Sequence, residues 1–339
     1  MPDAAPAHRL TPPCWRSLAA ERRAEQLNLS LQGRPLIQLG LTAGAPPTLT
    51  VQTLCAERPQ QGLWAVCYWW FANHPECQRL TLQLPQPDIA AAGLASGLLL
   101  GSERPDQFAC ERALFWQLPQ PWLGEAQQPV YPPHRVMSNG KRHPRRPPKP
   151  TGEVYRRYDA HLGAWVSLRA LDIEEDLPRF NRWQNNPRVL AFWEEGGSLE
   201  QHRQYLQNLA ADPHTLPLIG CFDDEPFAYF EAYWAKEDRI APFYPADDYD
   251  RGIHMLVGEE HQRGPHKVAS WMTALVHYLF LDDPRTQRVV AEPRADNQRM
   301  IDYLQGVGFH CDKAFDFPHK QAALMVLGRE RFFDRCPLA

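Results

Sequence analysis

The apolar positions of this chain fall into two differently patterned halves. From residue 172 onward, helical and strand periods alternate cleanly. Asp172-x-x-Glu175 and Ser198-x-x-Gln201 are capping-box-like openings. Leu177, Phe180 and Trp183 follow the first, and Tyr205, Leu206 and Leu209 the second, at helical spacing. A strand pair comes next, LPLIGCF and FAYFEAYW, joined by a tight DDEP turn. On its second strand Phe227, Tyr229, Glu231 and Tyr233 share one face, because strand side chains alternate. GIHMLVG reads as a strand. Val268, Trp271, Met272, Leu275, Val276, Leu279 and Phe280 then give a helix at i, i+3, i+4, i+7 spacing. TQRVVAE is a further strand, residues 297–306 a short helix, and two strands around FPHKQ close the segment. The order ααβββαβαββ, with helices crossing between strands, predicts an α+β unit with a mixed central sheet flanked by helices.

The first half is less regular. Short β-like runs (Leu49 to Leu54, Leu63 to Phe71, Leu80 to Leu84) alternate with turn signals, and one helix is expected over Gln107 to Gln117. It carries no Gly-rich turn and no usefully spaced carboxylate or histidine pair, so it reads as a smaller α+β domain without assignable chemistry. Residues 132–150, PPHRVMSNGKRHPRRPPKP, are rich in Pro and Lys/Arg and nearly devoid of apolar side chains. They read as an extended linker between domains 1–131 and 151–339. Such a basic run serves either as a solvated spacer or as a contact for RNA or an acidic partner.

Composition narrows the classes further. At 339 residues there is room for two cores, and proline, 33 residues, is about twice its usual share of roughly 5%. The net charge of −4 gives no overall argument for nucleic acid or a membrane surface as partner. No apolar run approaches the roughly 18 residues of a membrane span, and MPDAAPAHRLTPP lacks a secretory pattern, so a cytoplasmic location is expected. The eight cysteines (14, 55, 67, 77, 110, 221, 311, 336) contain no C-x-x-C pair, so reduced thiols and no metal cluster are expected.

The chemistry concentrates between Arg251 and Phe309. A strand ending at Gly258 that re-enters a helix through Gln262-Arg263-Gly264 leaves unpaired backbone N–H groups, and the helix dipole then favours phosphate. Arg263 and Lys267 add positive charge, although many helices begin this way and bind nothing. His254 sits in the apolar run Ile253–Val257, as either a satisfied core residue or a base. Carboxylates at Glu292 and Asp296 offer it a partner that would fix its tautomer and tune it near neutral pH. Asp296 or Asn297 also suits a helix N-cap. Glu231 between Tyr229 and Tyr233, and Trp193-Glu194 on a loop, suit a cationic amine with its carbon chain on aromatic rings. Each reads equally as sheet face or core.

These residues resemble a GNAT-fold, CoA-dependent acyltransferase over about residues 153–331. The resemblance rests on GIHMLVG, QRGPHK with its helix, the strand ending in EP, and N-x-x-M-I-x-Y-L-x-x-x-G-F. FEAYW, YDRGIHMLVG, LFLDDPRTQRVVAEPRADN and FPHKQAALM narrow it to siderophore-biosynthesis acyltransferases of the aerobactin type. That resemblance implies transfer from acetyl-CoA to the hydroxylamino nitrogen of N6-hydroxylysine, giving a hydroxamate. Hydroxylated ornithine, putrescine or cadaverine, with succinyl-CoA as another donor, are the alternatives. It also implies His254 with Glu292 or Asp296 at the reacting centre, Met255, Leu256, Val257 and Gly258 on the pantetheine arm, and Gln262, Arg263, Gly264, His266, Lys267 and Val268 on the pyrophosphate. Asn297, Met300 and Tyr303 complete the CoA wall. Trp193, Glu194, Tyr229, Glu231 and Tyr233 face the N-hydroxyamine. A siderophore synthetase is the implied protein partner, and a non-catalytic acyl-CoA-binding or scaffold subunit is the alternative of another class. His266 and Val268 replace later glycines of the general turn, and Leu304 stands where many relatives have a tyrosine acid.

Overall fold

The structure, a computed structural model, describes residues 8–10, 18–42, 44, 46–57, 59–123, 130–318, 320–335 and 338. The chain forms two compact units, Met1–Pro121 with Leu338–Ala339, and Trp122–Pro337. Six described cysteines are free thiols, three of them buried; Cys14 and Cys336 lie outside the described residues. Among the described residues no helix is long and apolar enough to cross a membrane.

The first unit is built on β1 (His8–Leu10), β2 (Leu18–Arg23), β3 (Gln26–Leu31), β4 (Arg34–Thr42), β5 (Thr48–Leu54), β6 (Arg79–Gln83), β7 (Leu100–Gly101) and β8 (Gln107–Glu111). They are ordered β1-β2-β3-β4-β5-β6-β8-β7. Its helices are α1 (Pro59–Asn73), α2 (Pro87–Ala95) and the single turn α3 (Arg112–Phe115). Two expectations fail here. The run Leu63–Phe71 is the buried middle of α1 rather than a strand, because a segment apolar on every side carries no period to read. Gln107–Gln117 is not one helix: its first five residues pair with β6 as β8, burying Phe108, Ala109 and Cys110.

The second unit begins with the short helix α4 (Gln120–Leu123), which straddles the boundary. The expected linker 132–150 is not a spacer. Arg135–Ser138 (β9) and Lys141–Pro144 (β10) form a hairpin about Asn139-Gly140, both at positive φ, the turn that Asn-Gly favours. Lys141 of the hairpin and Arg146 just beyond it bind the loop that leaves β14, as described below, which overrides the solvated reading.

A second eight-stranded sheet follows: β11 (Glu153–Asp159), β12 (Ala164–Ala170), β13 (Thr215–Phe222), β14 (Glu225–Trp234), β15 (Arg251–Val257), β16 (Arg288–Ala291), β17 (His310–Asp316) and β18 (Gln321–Gly328). The order is β11-β12-β13-β14-β15-β16-β18-β17, the same threading as in the first unit. In each sheet the fifth and sixth strands are parallel and joined by a helix, α1 in one and α8 (Pro265–Asp282) in the other. The turn of the β13–β14 hairpin is Asp223-Asp224, both at positive φ, as a two-residue hairpin loop requires. Helices α5 (Ile173–Gln184), α6 (Pro187–Trp193) and α7 (Leu199–Ala211) lie between β12 and β13. Ser198 and Gln201 form the full capping box of α7, and Asp172 caps α5. Leu177, Phe180, Trp183 and Leu206 pack on Ile219, Tyr229 and Leu256 of the sheet. Helix α9 (Gln298–Val307) links β16 to β17, and α10 (Arg329–Arg335) ends the described fold.

Candidate active site

The site follows from one irregularity in the sheet. β15 pairs with β14 along its whole length, but with β16 only at Arg251↔Val289 and Gly252↔Val290. Beyond Gly252 the two parallel strands part, and one edge of β15 faces a cavity of about 960 Å³. Gly258 N–H donates to Phe227 O at 2.9 Å. Counting back in the antiparallel register, Leu256 and His254 also aim their amides at β14, whereas Met255 and Val257 aim theirs at the cavity. Their carbonyls agree: Met255 O accepts from Trp193 Nε1 at 3.4 Å, and Val257 O from Arg188 at 2.8 Å.

His254 lies opposite Glu231 on β14, and Glu292, just past β16, reaches it across the parting. Nδ1–H donates to Glu231 Oε2 at 2.8 Å and Nε2–H to Glu292 Oε1 at 2.6 Å. A ring with both nitrogens donating to carboxylates is an imidazolium. Three tyrosines brace the acids: Tyr205 (2.5 Å) and Tyr229 (2.8 Å) donate to Glu231, and Tyr233 (2.6 Å) to Glu292. The Tyr233 ring lies directly over Gly252, where a Cβ would fall 2.0 Å from it, so only glycine admits this packing.

Electrostatics follow the geometry. Burial alone would lower the His254 pKa, but the Glu292 charge and the hydrogen bonds to both glutamates raise it to about 10. Burial alone would raise the two acids. His254 and the tyrosine hydroxyls hold Glu231 below its usual range, and Glu292 is held at about 2 by His254, Lys320 and Tyr233. The three side chains therefore form an ionised carboxylate–imidazolium–carboxylate cluster with one net negative charge, not a neutral imidazole.

This arrangement sorts the expected residues. His254 and Glu292 come together. Asp296 does not join them: it is exposed and forms a two-pronged pair with Arg294 (3.0 and 2.9 Å), and Asn297 caps α9. Glu231, expected on the acceptor, is instead the second acid on His254, and Tyr229 and Tyr233 brace the cluster rather than offering open rings. Trp193 does line the cavity, edge-on to His254 at 6.3 Å. Glu194, in the left-handed region at φ 56°, caps α6 on the cavity rim 3.8 Å from Arg294. Arg263, Gly264, Val268, Asn297, Met300 and Tyr303 line the same cavity.

Several others point elsewhere. Leu256 also touches the cavity but packs chiefly under α5, and the Gly258 amide is already used. Gln262, His266 and Lys267 line a separate cavity of about 500 Å³, with Lys267 Nζ donating to Gln262 Oε1 at 2.6 Å. Their contribution to the main cavity reduces to the backbone start of α8, where Gly264 has no side-chain cap and the first N–H groups have no intrahelical acceptor. Leu304 is fully buried. Tyr205, Arg239 and Lys320 also reach the cavity and were not anticipated. Tyr205 reads as the apolar stripe of α7, and loop cations follow no period. Among the described residues no group of three His, Cys, Asp or Glu side chains is placed to share a metal ion.

Two parallel strands thus part beside the start of a helix, with an ionised cluster at the parting. The GNAT acetyltransferase domain model matches residues 172–317. An N(6)-hydroxylysine O-acetyltransferase of Escherichia coli is 47% identical over 227 residues, covering 66% of this chain and 70% of that protein. A hydroxyornithine transacylase of Ajellomyces capsulatus is 38% identical over 313 residues, covering 80% and 71%. The solved structure of an uncharacterised protein from Bacillus halodurans superposes with a TM-score of 0.52 at 28% identity, covering 54% of this chain and 94% of that one. The chain belongs to the GNAT-fold acyltransferases of siderophore biosynthesis.

Proposed function

We propose that this enzyme acylates the hydroxylamino nitrogen of N6-hydroxylysine, or of a close N-hydroxyamine, with acetyl-CoA as donor. The supporting observation is the Glu231–His254–Glu292 cluster on the wall of a crevice whose β15 edge presents the Met255 and Val257 amides. Acyl-CoA supplies the activated thioester carbon. The start of α8 with Arg263 suits its pyrophosphate, and Met300 and Tyr303 on α9 suit the apolar arm. The edge amides of β15 stabilise the oxyanion that develops at the carbonyl. As the C–N bond forms the nitrogen turns cationic and strongly acidic, and its proton passes to a carboxylate oxygen of the cluster while His254 stays protonated. The same proton goes on to the leaving thiolate sulfur as the C–S bond breaks. Because the hydroxylamine nitrogen is already neutral near pH 7, most of the acceleration comes from alignment.

The Escherichia coli relative's name places the acetyl group on oxygen, whereas the transfer proposed for this enzyme is to nitrogen. Thiol release measured with a panel of N-hydroxyamines and two acyl-CoAs, followed by ferric complexation of the product, separates the two. An N-acyl product binds iron(III) as a hydroxamate, and an O-acyl product does not. His254→Ala is expected to lower kcat by about 100-fold or more. Undiminished transfer in that variant, or no transfer by the parent to any N-hydroxyamine, overturns the proposal.

A further inference from the structure

The acceptor end of the cavity carries a charge pattern that the acyl transfer itself does not need. Thr215 pairs with Tyr233, and Tyr233 with Gly252, so His214, Thr215 and the loop after β14 gather at the Gly252 end of β15. Arg263 and Gly264 follow its other end, five residues or roughly 17 Å further on. At the Gly252 end stand two cations, Arg239 and Lys320. Arg239 Nη2 is 3.8 Å from Glu292 Oε1, and Lys320 Nζ donates to the Glu292 carbonyl at 2.8 Å. Both lie on the Phe317 ring, at 5.4 and 5.6 Å from its centroid.

The Glu292 carboxylate is already engaged with His254 and Tyr233, and Asp238 on the same cavity wall is engaged with His214. Burial lowers the Lys320 pKa, and the neighbouring Arg239 and Arg294 guanidiniums push the same way against the pull of Glu292. The Arg239 loop is held rather than loose. Lys141 of the β9–β10 hairpin donates to the carbonyls of Glu237 and Asp238, and Arg146 forms a two-pronged pair with Glu237 at 2.6 Å.

We infer that Arg239 and Lys320 clamp the α-carboxylate of the acceptor, so that the enzyme selects an N-hydroxylated α-amino acid over the corresponding diamine. The inference rests on the acyltransfer reading above and adds which residues read the far end of the acceptor. A diamine places an ammonium, or nothing, between these cations, and like charges repel. An amino acid closes the clamp with charge-assisted hydrogen bonds while its hydroxylamino end reaches His254.

The test has a binding arm and a turnover arm. Lysine and cadaverine, which differ by the carboxylate, are titrated calorimetrically into the full-length enzyme and into Arg239→Gln/Lys320→Gln. Lysine is expected to bind the parent more tightly by on the order of 10- to 100-fold, with the preference collapsing in the double variant. In turnover, the kcat/KM ratio of N6-hydroxylysine to N-hydroxycadaverine falls by the same factor, through the acceptor KM, while the KM for acyl-CoA stays put. A role in folding alone lowers both acceptors together and leaves their ratio unchanged, which overturns the clamp. Equal binding of lysine and cadaverine by the parent also overturns it. Selective lysine binding without turnover of any N-hydroxyamine upholds the clamp and sinks the acyltransfer reading instead.

Discussion

If His254 is an imidazolium locked between two glutamates, its proton contributes stability over a pH range where an ordinary histidine contributes none. The shift from 6.5 to about 10 is worth no more than roughly 5 kcal/mol, since the side chain is 22% exposed and solvent screens part of it. The sign follows from linkage. The folded pKa lies above the unfolded one, so this stabilisation is complete below about pH 6.5 and is lost as pH rises toward 10. In between, the unfolded chain has released a proton that the folded chain keeps, and stability falls by about 1.4 kcal/mol per pH unit. From pH 7 to 9.5 that is about 3 kcal/mol, or a Tm decrease of roughly 6–12 °C for a unit of this size. Differential scanning fluorimetry of the parent and His254→Gln, at constant ionic strength, isolates the effect as a difference between two curves. The parent should lose its margin with rising pH, and the variant should start lower and run flatter. Parallel curves, or a His254 NMR titration centred near 6.5, would refute the ion-cluster description. The same locked proton predicts that log kcat/KM shows no histidine inflection between pH 6 and 8.

Three further outcomes follow. Gly252→Ala drives a methyl group into the Tyr233 ring and should cost about 1–3 kcal/mol by denaturant titration, with a fall in kcat because Tyr233 holds Glu292. Arg146→Ala leaves the buried Glu237 carboxylate without its two-pronged partner. It should cost about 3–5 kcal/mol and raise the acceptor KM more than the acyl-CoA KM, read from thermal melts and steady-state kinetics. Asp296→Asn should change kcat less than about threefold, while Glu292→Gln lowers it by about 100-fold or more in the same assay, since of these two acids Glu292 alone touches the imidazole.

The second unit was largely legible because its elements differ in period. The eighteen-residue α8 and the caps at Asp172 and Ser198 stand where spacing puts them. Within the site, His254 and Glu292 were readable, but the choice between Glu292 and Asp296 was not. Asp296 is four residues further along the chain and turns back onto Arg294, a local ion pair that keeps it off the imidazole. Glu231 looked like an acceptor residue because its cross-strand partner depends on the β14–β15 register, which sequence does not print. The hairpin at 132–150 did carry a signal, Asn139-Gly140, submerged by the prolines and arginines around it. In the first unit, Leu63–Phe71 shows the opposite limit: a wholly apolar run fits a strand or a buried helix equally well.

The shared threading of the two sheets gives the molecule an internal reference for its own chemistry. In the first unit Val51 pairs with Leu39, and the β5–β6 register, continued one step, brings it beside Leu84, as His254 meets Glu231 and Glu292 in the second. All three are buried and apolar. One strand order is therefore executed twice in a single polypeptide, once with hydrocarbon at these three positions and once with charge. The ionised trio of the second sheet thus occupies positions that the first fills with aliphatic side chains.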